Sequence, residues 1–318
     1  MNAPLADDLR TLRSLVRDDD RAELRALLGE RVRFDEPLGP FTSWKIGGPA
    51  DALVQLENSE ELAAVLRLVA RRALPHFVLG SGSNVLIGDG GVRGFVLRLG
   101  GAFTRIEARA EGAQVLMCAG GSAAMPQLVA QGASLGARGI DGLAGIPGSV
   151  GGSLRMNAGT DRELGEFVRA VTVQTPSRPQ PSAVSPQYFY RGTSLAREAI
   201  VADVELAFER GDPAEVRART QARLVRRKES QPLALPNAGS CFRNPAGDWA
   251  ARLIEACGAK GWREGDAEVS PQHANFIVNR GAARASDVAT LLARVRRAVA
   301  EQSGVELELE VHLVGVFA

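Results

Sequence analysis

Three cysteines, three histidines and two tyrosines are all that the 318 residues contain of those types, and each scarcity excludes something. Cys118, Cys241 and Cys257 are an odd set without metal-ligand spacing. Reduced thiols in a cytoplasm are therefore expected, not a disulfide framework. His76, His273 and His312 lie far apart in the chain, so no metal site is expected. Aromatics make up 5% of residues and are not interleaved with Lys and Arg, and the formal net charge is +1. Nucleic acid is not an expected partner. No apolar run approaches the roughly 20 residues that cross a bilayer. Residues 1–30 mix Arg, Asp and Glu with leucines at near-helical spacing instead of forming a signal-peptide core, so neither membrane association nor export is expected. The chain is long enough for two or three domains with real hydrophobic cores.

Glycine is abundant instead, at 35 residues. In Leu79-Gly80-Ser81-Gly82-Ser83-Asn84-Val85-Leu86-Ile87, small residues separate two apolar segments. Such a loop brings main-chain N–H groups, serine hydroxyls and an amide close to an anion, which suits the diphosphate of a cofactor. A second run, Gly139 to Gly152, includes Gly145, Ile146, Pro147, Gly148, Ser149, Gly151 and Gly152, and Met156-Asn157-Ala158-Gly159 follows. Each glycine would weaken a helix or strand by roughly 0.5–1 kcal/mol. A second wall of the same site is the economical reading, and a long surface loop is the alternative.

The apolar pattern orders these segments. After an amphipathic arm read as a surface helix, a strand covers Ala52 to Leu56, and Ser59 caps a helix with Leu62, Val65, Leu66 and Val69 on one face, ended by Pro75. A strand from His76 to Leu79 enters the glycine loop, and Val92 to Leu99 is another, giving a βαβ unit. Val85 stands where a dinucleotide-binding Rossmann fingerprint needs its third glycine, which rejects that reading. Gly132-Ala133-Ser134-Leu135-Gly136 matches a hydrolase nucleophile elbow, but Ser134 falls at the end of a helix over about 123–131, the wrong context. Further on come a strand from Ile200 to Phe208 and a helix opened by Asp212-Pro213, which also marks a domain boundary. Ser286 caps a helix with Val288, Leu291, Leu292, Val295 and Val299 inward, and the last strand covers Val305 to Val316. There Glu306, Glu308 and Glu310 alternate with apolar residues as a solvated face would.

Taken together, Thr42-Ser43-Trp44-Lys45-Ile46-Gly47-Gly48-Pro49-Ala50, the Gly-Ser-Gly-Ser-Asn loop, Gly145 to Gly152, Tyr190-Arg191, Ala238 to Pro245, His273 to Asn279 and Glu306 to Val311 resemble, in that order, the UDP-N-acetylenolpyruvoylglucosamine reductases. The resemblance implies an α/β (α+β) fold with a two-part FAD-binding domain of the PCMH / vanillyl-alcohol-oxidase type and a smaller C-terminal α/β substrate domain. Its parts would be an arm over 1–32, FAD subdomains over 33–99 and 100–211, and a UDP-sugar domain over 212–310, with a last strand at 311–318 returning to the first subdomain. The implied activity is reduction of UDP-N-acetylglucosamine enolpyruvate by non-covalent FAD, with NADPH as hydride donor. Ser240 would protonate C2, and Arg191 and Glu310 would flank the substrate carboxylate. Gly80 to Asn84 and Gly145 to Gly152 would hold FAD, and Tyr190, Asn244, His273 and Asn275 would contact substrate. A monomer is expected.

Three departures stand out. His312 replaces a usual Arg or Lys, and Thr160-Asp161-Arg162 replaces a common Ala-Tyr-Gly. The connection from Ser194 to Asp212 has no room for the tyrosine-bearing loop of one branch, so the chain resembles the branch without it. Two alternatives stay open. A flavin oxidase of the same fold would take up oxygen without NADPH, and a flavin-binding protein without turnover would never be bleached by it.

Overall fold

The computed structural model describes residues 14–317. The first 13 residues of the N-terminal arm lie outside them. Helix α1 (Asp18–Leu28) follows, and it is more than surface decoration. Its Leu24 and Leu28 are buried, and Asp20 pairs with Arg72 of α2 (Ser59–Arg72) at 2.9 Å.

The first sheet runs β1 (Val32–Pro37), β2 (Pro49–Leu56), β5 (Val92–Leu99), β3 (His76–Val78). β2 and β3 both lie parallel to β5, as the βαβ pattern expects, and α2 covers the sheet with Leu62, Val65, Leu66 and Val69 buried. Its cap is Asn58, one residue before the expected Ser59. The longer asparagine side chain accepts the Glu61 N–H at 2.9 Å, and Ser59 is the first helical residue.

The second sheet is antiparallel throughout: β6 (Ile106–Glu111), β7 (Gln114–Gly120), β12 (Ile200–Glu209), β8 (Val168–Gln174), β9 (Ser182–Val184). Helices α3 (Met125–Leu135) and α4 (Val150–Arg155) share its core. Ser134 is inside α3, its hydroxyl donating to the Gln131 carbonyl, so it makes no elbow. A two-strand hairpin, β10 (Tyr188–Phe189) with β11 (Gly192–Thr193), places Tyr190 and Arg191 at its turn. Helix α5 (Pro213–Ser230) starts at the Asp212 cap as expected, but it packs on this second unit and not on the third. Val216 joins the second core, and Arg223 pairs with buried Asp141 at 3.0 Å.

The third unit carries α6 (Ala250–Ala256), the strands β13 (Arg263–Glu264), β14 (Ala267–Val269) and β15 (Ile277–Asn279), and α7 (Ala285–Ser303). Ser286 does not cap α7. The carboxylate of Asp89, from the first unit, accepts the N–H groups of Ala285 and Ser286 at 2.9 and 3.0 Å. Only part of the expected last strand is regular: β16 (His312–Val314) pairs in parallel with β4 (Val85–Ile87). Residues 308–311 run instead beside the Ser240 loop, because their backbone bonds go to Cys241 and Arg243.

The third core is completed by residues of the first unit, Trp44, Ile46 and Leu86. Trp44 is fully buried, donates its indole N–H to the Ile277 carbonyl at 2.7 Å, and accepts from Asn279 Nδ2 at 2.9 Å. Trp44→Phe would leave the Ile277 carbonyl dry and unpartnered. A loss of about 1–3 kcal/mol is expected in urea denaturation, and an unchanged midpoint would show that this bond does not fasten the units. No helix among the described residues is long and apolar enough to cross a membrane.

Candidate active site

A cavity of about 390 Å³ lies where the three units meet. Gly80, Ser81, Gly82, Ser83 and Asn84 line it, together with Ile146, Pro147, Gly148, Ser149 and Gly152. The two glycine-rich runs thus face one space, as expected. They also touch each other: Ser83 Oγ donates to the Pro147 carbonyl at 3.4 Å, and a Cβ on Gly80 or Gly148 would come within 2.7 Å of a serine hydroxyl on the opposite run. Gly151 lines a smaller adjoining recess of about 80 Å³. Gly145 lines neither space, and its absent side chain makes room for Arg227. The apolar walls Phe77, Val78 and Leu79 next to hydroxyl and backbone donors suit a ligand with a flat ring system and a diphosphate.

Ser240, Arg191 and Glu310 line the same cavity. Arg191 sits at the β10–β11 turn with φ of 55°, a left-handed conformation that a bulky residue holds only under restraint. Its Nε donates to Glu310 Oε1 at 2.9 Å, and both side chains are about four-fifths buried. Burial raises the Glu310 pKa above the ordinary carboxylate range, partly offset by the charges of Arg191 and Arg243. The Ser240 loop is pinned by its neighbours: Cys241 N donates to the Asn275 carbonyl and Glu310 N donates to the Cys241 carbonyl, both at 2.8 Å. From the glycine loop, Asn84 Nδ2 donates to the Glu310 carbonyl at 3.1 Å and the Asn84 carbonyl accepts His312 N–H at 3.1 Å. The loop facing the ligand and the strand carrying the carboxylate are therefore one hydrogen-bonded piece.

The four expected substrate contacts do not line the cavity. Asn275 is buried, with its amide spent on the Phe242 backbone at 2.9 and 2.8 Å, so it positions the Ser240 loop. Asn244 accepts the Ala250 N–H at the start of α6. His273 packs edge-on against Phe276 and accepts the Asn275 N–H, while Tyr190 is exposed beside the Arg191 guanidinium.

Two lining cations escaped the sequence reading. Arg155 donates to the Ala196 and Ala199 carbonyls, and Arg227 donates to Gln231 Oε1 at 3.2 and 3.0 Å. Neither forms an ion pair among the described residues, and burial lowers the pKa of both. Half-buried guanidiniums that make no salt bridge are partners for an anionic ligand. A signal for Arg227 existed: Val216, Thr220, Arg223 and Arg227 recur at helical spacing, so the inward face of α5 runs on into arginine.

His312 also lines the cavity, with its Nε2 3.1 Å from Met156 Sδ. Desolvation by the surrounding protein, together with the charges of Arg243 and Arg155, lowers its pKa. Burial also lowers those of His76 and His273. A depressed pKa means that the fold favours neutral imidazole. The resulting stability is complete above the ordinary histidine value of about 6.5 and is lost as pH falls through the lowered values. Melting temperature should therefore drop between about pH 7 and pH 5, with a smaller drop in His312→Gln. A melting temperature that rises over this interval would contradict the assignment.

Residues 50–177 match the family model described as FAD binding domain, and residues 231–314 match that of the UDP-N-acetylenolpyruvoylglucosamine reductase C-terminal domain. The chain is 44% identical to UDP-N-acetylenolpyruvoylglucosamine reductase 2 of Symbiobacterium thermophilum, covering 98% of this chain and 97% of the relative. It is also 44% identical to the reductase of Moorella thermoacetica, covering 92% and 99%. The crystal structure of the Thermus caldophilus reductase superposes with a TM-score of 0.75 at 37% identity, over 89% of this chain and 99% of that one. With a glycine-walled cavity between the two matched regions, the chain belongs to the UDP-N-acetylenolpyruvoylglucosamine reductases, FAD-dependent oxidoreductases with a PCMH-type flavin fold and a smaller C-terminal domain.

Proposed function

We propose that the protein reduces UDP-N-acetylglucosamine enolpyruvate to UDP-N-acetylmuramate at the expense of NADPH, in the cytoplasm, where Cys118, Cys241 and Cys257 stay free thiols. The observation that carries this reading is the Arg191–Glu310 pair, 2.9 Å apart, on the wall that also bears Ser240 and the glycine loop. Gly80 to Asn84, with Pro147 to Ser149, would hold the FAD diphosphate, and the units over 33–99 and 100–211 would share the flavin. The third unit would bring Ser240 to the UDP-sugar. When bound, FAD supplies the hydride chemistry that this set of side chains lacks.

Hydride addition at C3 of the enolpyruvyl group drives an electron pair onto C2 and the carboxylate. Arg191 offers a permanently charged planar fork to that carboxylate. Glu310 fixes the fork's direction through Nε, and its raised pKa favours a shared proton as enolate charge grows. Ser240 Oγ–H then protonates C2 and regains a proton from water. Hydroxyls are weak acids, so this transfer depends on the basicity of C2 and on the pinned loop.

The test is anaerobic. NADPH should bleach the flavin, and UDP-N-acetylglucosamine enolpyruvate should restore its colour. A flavin reoxidised by oxygen but indifferent to that enolpyruvate would overturn the proposal in favour of an oxidase.

A further inference from the structure

Arg223 of α5 is bound on two sides. Its Nε donates to Asp141 Oδ2 at 3.0 Å and its Nη2 to Asp161 Oδ2 at 2.6 Å. Asp141 is buried in the turn that leads to Ile146, whereas Asp161 is more than half exposed. Thr160 continues the network, donating to the Gly142 carbonyl at 2.8 Å. Both arms of this bridge end at the cavity. Thr160 lines it directly, and Arg227, one helical turn beyond Arg223, reaches it past Gly145. The ion pair with Asp161 holds Arg223 well within its charged range and Asp161 below the usual carboxylate range.

We infer that the Asp141–Arg223–Asp161 bridge is a positioning device for diphosphate binding: it locks the turn of α5 that carries Arg227 and the Thr160 wall into one frame. The inference rests on reading the cavity as the place where FAD and the UDP-sugar meet, and both ligands carry a diphosphate. An exposed ion pair contributes about 0–1 kcal/mol to folding, so Asp161 gives the fold little. Its use is to remove the freedom that Arg227 would otherwise lose when it takes up an anion.

The experiment uses the FAD-loaded protein with UDP as probe, measured by calorimetry, and the release of FAD on dilution, measured by fluorescence. Arg227→Gln should weaken one of the two diphosphates about tenfold. Asp161→Asn should weaken the same one about threefold with an unchanged melting temperature, and Asp161→Glu should restore it. Combined with Arg227→Gln, Asp161→Asn should add less than its separate effect, because both act through one guanidinium. If Asp161→Asn and Arg223→Lys bind both ligands like the parent while Arg227→Gln does not, the inference fails. It also fails if Arg227→Gln weakens neither ligand. A parent protein that retains FAD but does not bind UDP would instead sink the substrate reading, and the FAD measurements alone would then decide the inference.

Discussion

Ser240→Ala is expected to leave flavin reduction by NADPH intact and to slow flavin reoxidation by the enolpyruvate about 10²–10⁴-fold, the range of a lost general acid. The two half-reactions separate because only the second requires a proton at carbon. Alanine fits the Ser240 site without disturbing its loop, since the loop is held through the backbones of Cys241 and Phe242. Flavin content and melting temperature should therefore match the parent. Ser240→Cys should retain more of the second half-reaction, a thiol being a better acid than a hydroxyl. Stopped-flow traces in which both half-reactions slow equally would remove Ser240 from the proton's path.

Glu310→Gln is expected to reduce kcat about 10²–10³-fold, the loss seen when one preorganised group at a developing oxyanion is removed. Glutamine keeps the shape and can still accept from Arg191 Nε, but its amide has no acidic proton to transfer. Stability should be little affected at neutral pH. A carboxyl whose pKa is raised by burial contributes stability below the ordinary glutamate range and loses it as pH rises through the raised value. Burial disfavours the charged form of Glu310, so the neutral glutamine removes that cost while giving up the charge of the Arg191 pair. Activity within a few-fold of the parent would leave Arg191 as the sole stabiliser of the carboxylate and contradict the role given to Glu310.

What could be read from the sequence was local. The 3.6-residue apolar stripe of α2, the cap of α5 at Asp212 and the strand Val92–Leu99 stand where the pattern puts them. The glycine runs face one cavity because glycine reports backbone approach, wherever the approaching group comes from. What could not be read was which unit supplies a partner. The cap of α7 is an aspartate from the first unit, so Ser286 gives a false start. Asn275 is expected as a substrate contact from the family resemblance alone, and in the fold its side-chain amide is used on the Phe242 backbone. Glu310 is indistinguishable from Glu306 and Glu308 by alternation; the family resemblance singles it out, and the Arg191 hairpin, brought in from the second unit, supplies the physical contact that periodicity could not show.

The joining of Asn84 to Glu310 spans 226 residues, and that of Trp44 to Ile277 spans 233. On a ribosome adding about 5–20 residues per second, the glycine loop waits roughly 10–45 s for the carboxylate that completes its site. During that interval Trp44, Ile46 and Leu86 have no third core to enter, and β4 has no partner strand on its β16 side. Synthesis of this chain thus includes a long period with an apolar face and an open strand edge on display. That is the state in which a chaperone would engage it, and in which early-bound flavin would have the most to protect.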